Sequence, residues 1–177
     1  FLVAAGARIT GHGTATIAVE GVTTLHPVEF ENIPDRIEAG TYAVAAAITG
    51  GDVFLRGARA DQMAIVLERL RKMGVAVSEE AGGVRVRGDG VGAAAGARLR
   101  AIDITTRPYP GFPTDLQAQF TALLCLARGT GVVTDTIYPD RFTHIPELVR
   151  LGAEIRLHAN VVTVSGVESL QGAEVMS

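Results

Sequence analysis

Asp115 stands in GFPTDLQAQF (111–120), behind the rigid Pro113 and just before the apolar run LQAQFTALLCLA. A carboxylate at that point has two uses. It can accept from the free N–H groups at a helix start, or it can be held out into a pocket to take or give a proton. A cap needs one acceptor, and Thr114 is a second candidate, so with Thr114 as the cap Asp115 is left free. Two arginines belong to the same class of question: Arg141 in PDRFTH and Arg36 in PDRIEAG. A guanidinium either clamps a phosphate bidentately or bridges a surface carboxylate. For Arg36 the structural ion pair is the expectation.

Other reactive residue types read as structural. Cys125 lies inside FTALLCLA with no adjacent base or glycine loop, which makes it a core thiol and therefore inert. The single lysine, Lys72, falls late in a helix and is expected in solvent. Among His12, His26, His144 and His158 no two have the spacing of metal ligands on one helix face, and no metal or cofactor is expected. The glycine clusters GHG (11–13) and GGDVFLRG (50–57) are too degenerate for a nucleotide loop; they read as turns at strand entry. Glu79-Glu80 reads as a solvated hairpin tip, and GVGAAAG (90–96) as a loose connection.

The elements that hold these residues come as an internal repeat. AAGARITGHGTATIAVEG (4–21), KMGVAVSEEAGGVRVRG (72–88) and RLGAEIRLHANVVTVSG (150–166) share one pattern. Each starts at a helix C-terminus with Gly6, Gly74 or Gly152 where a left-handed cap favours glycine, then runs as strand, turn and alternating strand. Ahead of the last two, PDRIEAGTYAVAAAITGGDVFLRG (34–57) matches FPTDLQAQFTALLCLARGTGVVTDT (112–136), each followed by a second helix, DQMAIVLERLRKMG (61–74) or THIPELVRLG (143–152). In the latter Ile145, Leu148, Val149 and Leu151 form one apolar face. The unit is helix–strand–helix–strand–strand, recurring at just under eighty residues. TYAVAAAI (41–48) has no polar face, so this helix is expected to be buried all round, with helices inside and sheets outside. Phe1-Leu2-Val3 reads as the end of a second helix, and GVESLQGAEVMS (166–177) as the strand that precedes a further unit, like GARLRAIDITT (96–106). On this reading the chain begins and ends mid-unit.

Composition narrows the function class. Hydrophobic residues make up 47% of 177, with no Trp, and the net charge is −3. There is no basic footprint for nucleic acid and no polybasic membrane patch. No apolar run approaches the roughly 20 residues that span a bilayer, and one cysteine points to a reducing compartment. A cytoplasmic protein is expected.

PDRIEAGTYAVAAAITGG, RPYPGFPTDLQAQF and DRFTHIPELVRLGA followed by GVESLQGAEV resemble the UDP-N-acetylglucosamine enolpyruvyl transferase family, over essentially the whole chain. The resemblance implies an inside-out α/β barrel of such repeated units, incomplete here. It makes residues 1–33 the C-terminal tail of an inserted domain plus crossover, with HPVEFENIPD (26–35) as linker. Residues 34–177 become two near-complete units of the other domain. It further implies transfer of enolpyruvyl from phosphoenolpyruvate to the 3′-hydroxyl of UDP-N-acetylglucosamine with release of phosphate, the first committed step of peptidoglycan synthesis. Asp115 becomes the catalytic base and a substrate ligand, Ile137 in DTIYPDRF a contact to the uridine nucleotide, and Arg141 an arginine facing the cleft, with Arg36 at the matching place one unit earlier. The side chain of Ile137 alone reads equally as a plain apolar strand end. The family's acid cysteine and phosphate-binding lysine fall outside this sequence, so the 177 residues alone are expected to be inactive and to need the remaining part of the enzyme. Two alternatives stay open: a non-catalytic scaffold of the same repeats, and the sister transferase of the shikimate pathway.

Overall fold

The computed structural model describes residues 1–88 and 98–176; the GVGAAAG stretch lies outside them. The chain divides into two compact bodies, Phe1–Ile33 and Pro34–Ser177. The first holds a helical turn at Phe1–Ala7, in which the Ala5 N–H reaches the Phe1 carbonyl at 3.0 Å. A short antiparallel pair follows, β1 (Arg8–Thr10) and β2 (Ala18–Glu20). The ring of Phe1 meets that of Phe30 edge-on at 5.7 Å.

The second body contains the repeat. Its first copy runs α1 (Arg36–Thr49), β3 (Asp52–Arg56), α2 (Ala64–Met73), β4 (Ala76–Glu80) and β5 (Gly83–Arg87). A short β6 (Ile104–Thr105) precedes the second copy: α3 (Gln117–Cys125), β7 (Thr130–Thr134), α4 (Ile145–Arg150), β8 (Glu154–His158) and β9 (Val161–Ser165). Strand starts in the two copies lie 78 residues apart, 52 to 130, 76 to 154 and 83 to 161. The sheets have matching antiparallel orders, β3-β5-β4 and β7-β9-β8, with β6 added parallel to β7. The expected unit is therefore present twice.

The strands alternate as a half-buried sheet requires. Val84 and Val86 of β5 and Val162 and Val164 of β9 turn inward and are fully buried, while Arg85 and Arg87 point away. The inward faces rest on α1, α2 and α3, whose core is Val66, Leu67, Leu70, Leu123 and Leu124. Gly6, Gly74 and Gly152 all have positive φ, 99°, 102° and 94°, as the cap reading required; an L side chain there would be strained. At Gly40 the need is space instead. A Cβ would lie 2.5 Å from Leu116 Cδ1, so the missing side chain lets α1 take the turn ahead of α3 directly against its backbone.

Three expectations need correction. α1 is not buried all round: Ala43, Val44, Ala46 and Ala47 are interior, but Tyr42 is 57% exposed and Ala45 is open to solvent. On α4, Ile145 and Leu148 face the core and Val149 is exposed, because this helix has fewer than two turns to lay down. No strand forms among residues 166–176; the Val167 N–H instead bonds the Cys125 carbonyl at 2.7 Å. The two sheets of the second body are separate and open among the described residues.

Candidate functional site

The head of α3 is built by Pro113. Its extended backbone (φ −73°, ψ 136°) occupies the cap position, and Thr114–Leu116 follow as one 3₁₀ turn before the helix proper. Thr114 and Asp115 thus sit inside the turn, past the point from which a side chain can reach the free amides. Neither caps the helix, contrary to the expectation for Thr114. Their side chains are committed elsewhere. Thr114 Oγ1 donates to Asp135 Oδ2 at 2.6 Å, and Asp115 Oδ1 accepts from Arg141 Nη1 at 2.5 Å. Both members of that ion pair are about half exposed, 49% for Asp115 and 46% for Arg141. The structure thus brings together two of the four residues singled out from the sequence. Beneath them the buried Gln117 donates from Nε2 to the Arg141 carbonyl at 3.4 Å, bracing the loop that carries the guanidinium.

Asp135 is the residue that sequence reasoning missed. It is fully buried at the end of β7. Its Oδ1 accepts from Thr106 Oγ1 at 2.7 Å and from the N–H groups of Ile137 and Tyr138, both at 2.9 Å, and its Oδ2 takes Thr114. Burial pushes this carboxyl up, but the hydrogen bonds from Thr114, Tyr138, Thr106 and Ile137 outweigh it and hold the group below its ordinary value. The signal available in the sequence was an Asx turn in DTIY, an Asp accepting from amides two and three residues on.

Ile137 lies three residues past the end of β7, not on the strand. Its amide is fixed by Asp135, and its side chain is 41% exposed. Arg36 departs from both expectations. It forms no ion pair among the described residues and stacks instead over the Tyr109 ring, 5.5 Å from the centroid. Nor does it match Arg141: at the 78-residue offset its counterpart is Thr114, and that of Arg141 is Met63. The shared PDR tripeptides fall at different points of the unit. Arg36 and Tyr109 border a small pocket floored by Met63, Val66 and Leu116.

Cys125 is fully buried, its Sγ bonded to the Thr121 carbonyl at 3.2 Å, and burial raises its thiol to about 11. That is a core residue. Lys72 is exposed and pairs with Glu68 at 2.6 Å across one helical turn. Glu79 and Glu80 end β4 at the hairpin tip beside Arg71 and Arg85. Among the described residues no three His, Cys, Asp or Glu side chains could share a metal ion, and no helix is long and apolar enough to cross a membrane.

The chain has known relatives in sequence and in fold. The family model described as EPSP synthase (3-phosphoshikimate 1-carboxyvinyltransferase) matches residues 1–177. UDP-N-acetylglucosamine 1-carboxyvinyltransferases of Brucella ovis and Brucella canis are 52% identical over 176 residues, 99% of this chain and 40% of theirs. The chain therefore spans about two fifths of the length of those relatives. Among solved structures, the enolpyruvyl transferase NikO from Streptomyces tendae is similar with a TM-score of 0.76 and 27% identity, over 93% of this chain and 38% of that one. EPSP synthase from Acinetobacter baumannii is similar in fold, TM-score 0.55 at 18% identity, over 96% of this chain and 38% of that one.

Proposed function

This chain belongs to the EPSP synthase family of carboxyvinyltransferases, and on that premise we propose that the protein carrying it transfers enolpyruvyl to UDP-N-acetylglucosamine. Phosphoenolpyruvate is the donor, phosphate is released, and the product enters peptidoglycan synthesis in the cytoplasm. The 52% identity to transferases named for that nucleotide sugar favours this acceptor over shikimate 3-phosphate. The observation that carries the catalytic reading is the freedom of Asp115. It stands at a helix head, half exposed, with no capping duty and, among the described residues, a single arginine partner.

In the proposed reaction Asp115 accepts the proton of the 3′-hydroxyl as that oxygen bonds to C2 of phosphoenolpyruvate. The methylene carbon gains a proton from a group outside these residues. Loss of a proton from the new methyl and cleavage of the C2–O bond to phosphate then regenerate the double bond. Arg141 orients the Asp115 carboxylate through their ion pair. Exchange of that exposed ion pair for a substrate hydroxyl is inexpensive, since such pairs contribute only about 0–1 kcal/mol. The Ile137 loop contacts the nucleotide. In this reading the repeats belong to an inside-out α/β barrel, residues 1–33 to the tail of an inserted domain, and 34–177 to two units of its neighbour.

The test is phosphate release by the full-length protein with phosphoenolpyruvate and either acceptor. Release with UDP-N-acetylglucosamine is expected. Release only with shikimate 3-phosphate selects the sister reaction, and release with neither leaves a binding scaffold.

A further inference from the structure

We propose that Asp135 is a positioning residue for this transfer: its buried carboxylate locks the turn carrying Asp115 to the loop carrying Ile137. The inference rests on the function proposed above and assigns a role to a residue that touches no substrate in it. One oxygen of Asp135 is given to each side of the joint. Among the described residues Oδ2 receives only Thr114, the residue before Asp115, at 2.6 Å. Oδ1 receives Thr106 Oγ1 and the amides of Ile137 and Tyr138. The surroundings stiffen it further. Asp135 N–H donates to the Asn160 carbonyl at 3.0 Å, Asn160 Nδ2 returns to the Asp135 carbonyl at 2.9 Å, and Thr136 donates two hydrogen bonds to Thr106, from its N–H and from its hydroxyl.

The repeat itself argues that this joint is not demanded by the fold. At the same position of the first copy, 78 residues earlier, stands Gly57, and Thr114 is matched there by Arg36. The first copy forms the same three-stranded sheet and the same helices with no carboxylate at that point. A buried, fully satisfied acid present in one copy only is matched to what that copy carries. The catalytic need is clear in size. A base must lie within hydrogen-bond reach of its proton, and misplacement by about 1 Å can lower a rate roughly 100-fold.

The experiment follows kcat and KM for phosphate release by the full-length protein with UDP-N-acetylglucosamine and phosphoenolpyruvate. Thr114→Val keeps the shape and removes the hydroxyl; it should lower kcat roughly 10- to 100-fold with little change in KM, and the melting temperature should fall because a buried carboxylate oxygen loses its donor. Thr114→Ser, which keeps the hydroxyl, should restore kcat. In an Asp115→Asn background the valine substitution should have almost no further effect, because the group being positioned is gone. A wild-type kcat in Thr114→Val overturns the proposal. So does a serine variant as slow as the valine one, or an undiminished valine effect in the Asp115→Asn background. If the unaltered protein releases no phosphate, the proposed function falls and this role falls with it.

Discussion

At the head of its first helix the repeat 34–88 places Asp35, and the repeat 98–176 places Pro113 at the same position 78 residues on. Asp35 does the ordinary work of that place: its Oδ1 accepts from the N–H groups of Ile37 at 2.7 Å and Glu38 at 3.2 Å, and α1 runs for 14 residues. Pro113 has no acceptor to offer. The backbone instead tightens into one 3₁₀ turn, where the Leu116 N–H bonds the Pro113 carbonyl at 3.2 Å. The acid has moved two residues along and points at Arg141. Where Asp35 is consumed by its own helix, Asp115 is available. The same contrast recurs deeper in the unit, where Ala39, Ala43, Gly57 and Val66 of the first copy are matched by Gln117, Thr121, Asp135 and His144 in the second. One copy is packed; the other is packed and equipped.

The sharpest way to break this comparison is to treat the two acids alike. Asp115→Asn should lower kcat of the full-length protein by roughly 100- to 10,000-fold, the range for loss of a general base. Its stability should move little, because an exposed pair contributes about 0–1 kcal/mol. Asp35→Ala should do the reverse, costing about 1 kcal/mol of folding stability as a lost cap and leaving kcat unchanged. Urea midpoints and phosphate-release rates on both variants decide it. Equal kinetic effects would erase the distinction between the copies.

A second substitution tests whether the first copy serves the second by contact. Gly40→Ala would press a Cβ against the buried Leu116 Cδ1. The overpacking, about 1–3 kcal/mol, opposes the roughly 1 kcal/mol that alanine gains in helix propensity. Net destabilisation is expected in thermal melts. Adding Leu116→Val, which shortens the contacting side chain, should recover part of it. If Gly40→Ala melts higher than the parent, the close approach at Leu116 does not constrain the turn.

Much of this architecture was legible because it is written in local periodicity. Alternating valines in VRVR and VVTVS, and glycines at the ends of α2 and α4, mark strands and caps within a few residues of each other. The repeat doubles the signal. The joint at Asp135 was not legible in that way. It gathers side chains from positions 106, 114 and 135, whose proximity depends on β6 lying beside β7 and on the turn ahead of α3. The cap expected of Thr114 misled for a related reason. Pro, Thr and Asp in a row each suit a helix start, and only the backbone decides which of them occupies the capping position. Repeating the tripeptide PDR suggested that Arg36 and Arg141 are equivalent; the register of the strands shows that they are not.

The smallest expected effect concerns His144, which stands where the first copy has the buried Val66. Burial first, and then the charge of Arg141, lower its pKa from the ordinary value. A group depressed in the folded state favours folding fully only above its unfolded pKa, about 6.5 for histidine. As pH falls below that, the unfolded chain takes up the proton first, and stability declines until the folded histidine also titrates. Giving the second copy the residue of the first, His144→Val, removes this contribution and leaves the carboxylates in place. The urea midpoint should therefore drop less between pH 7.5 and pH 5.5 in the variant than in the parent protein. A parallel drop in both would mean that this histidine is as freely protonated when folded as when unfolded, and that the equipped copy has no acid sensitivity at this position beyond what its carboxylates confer.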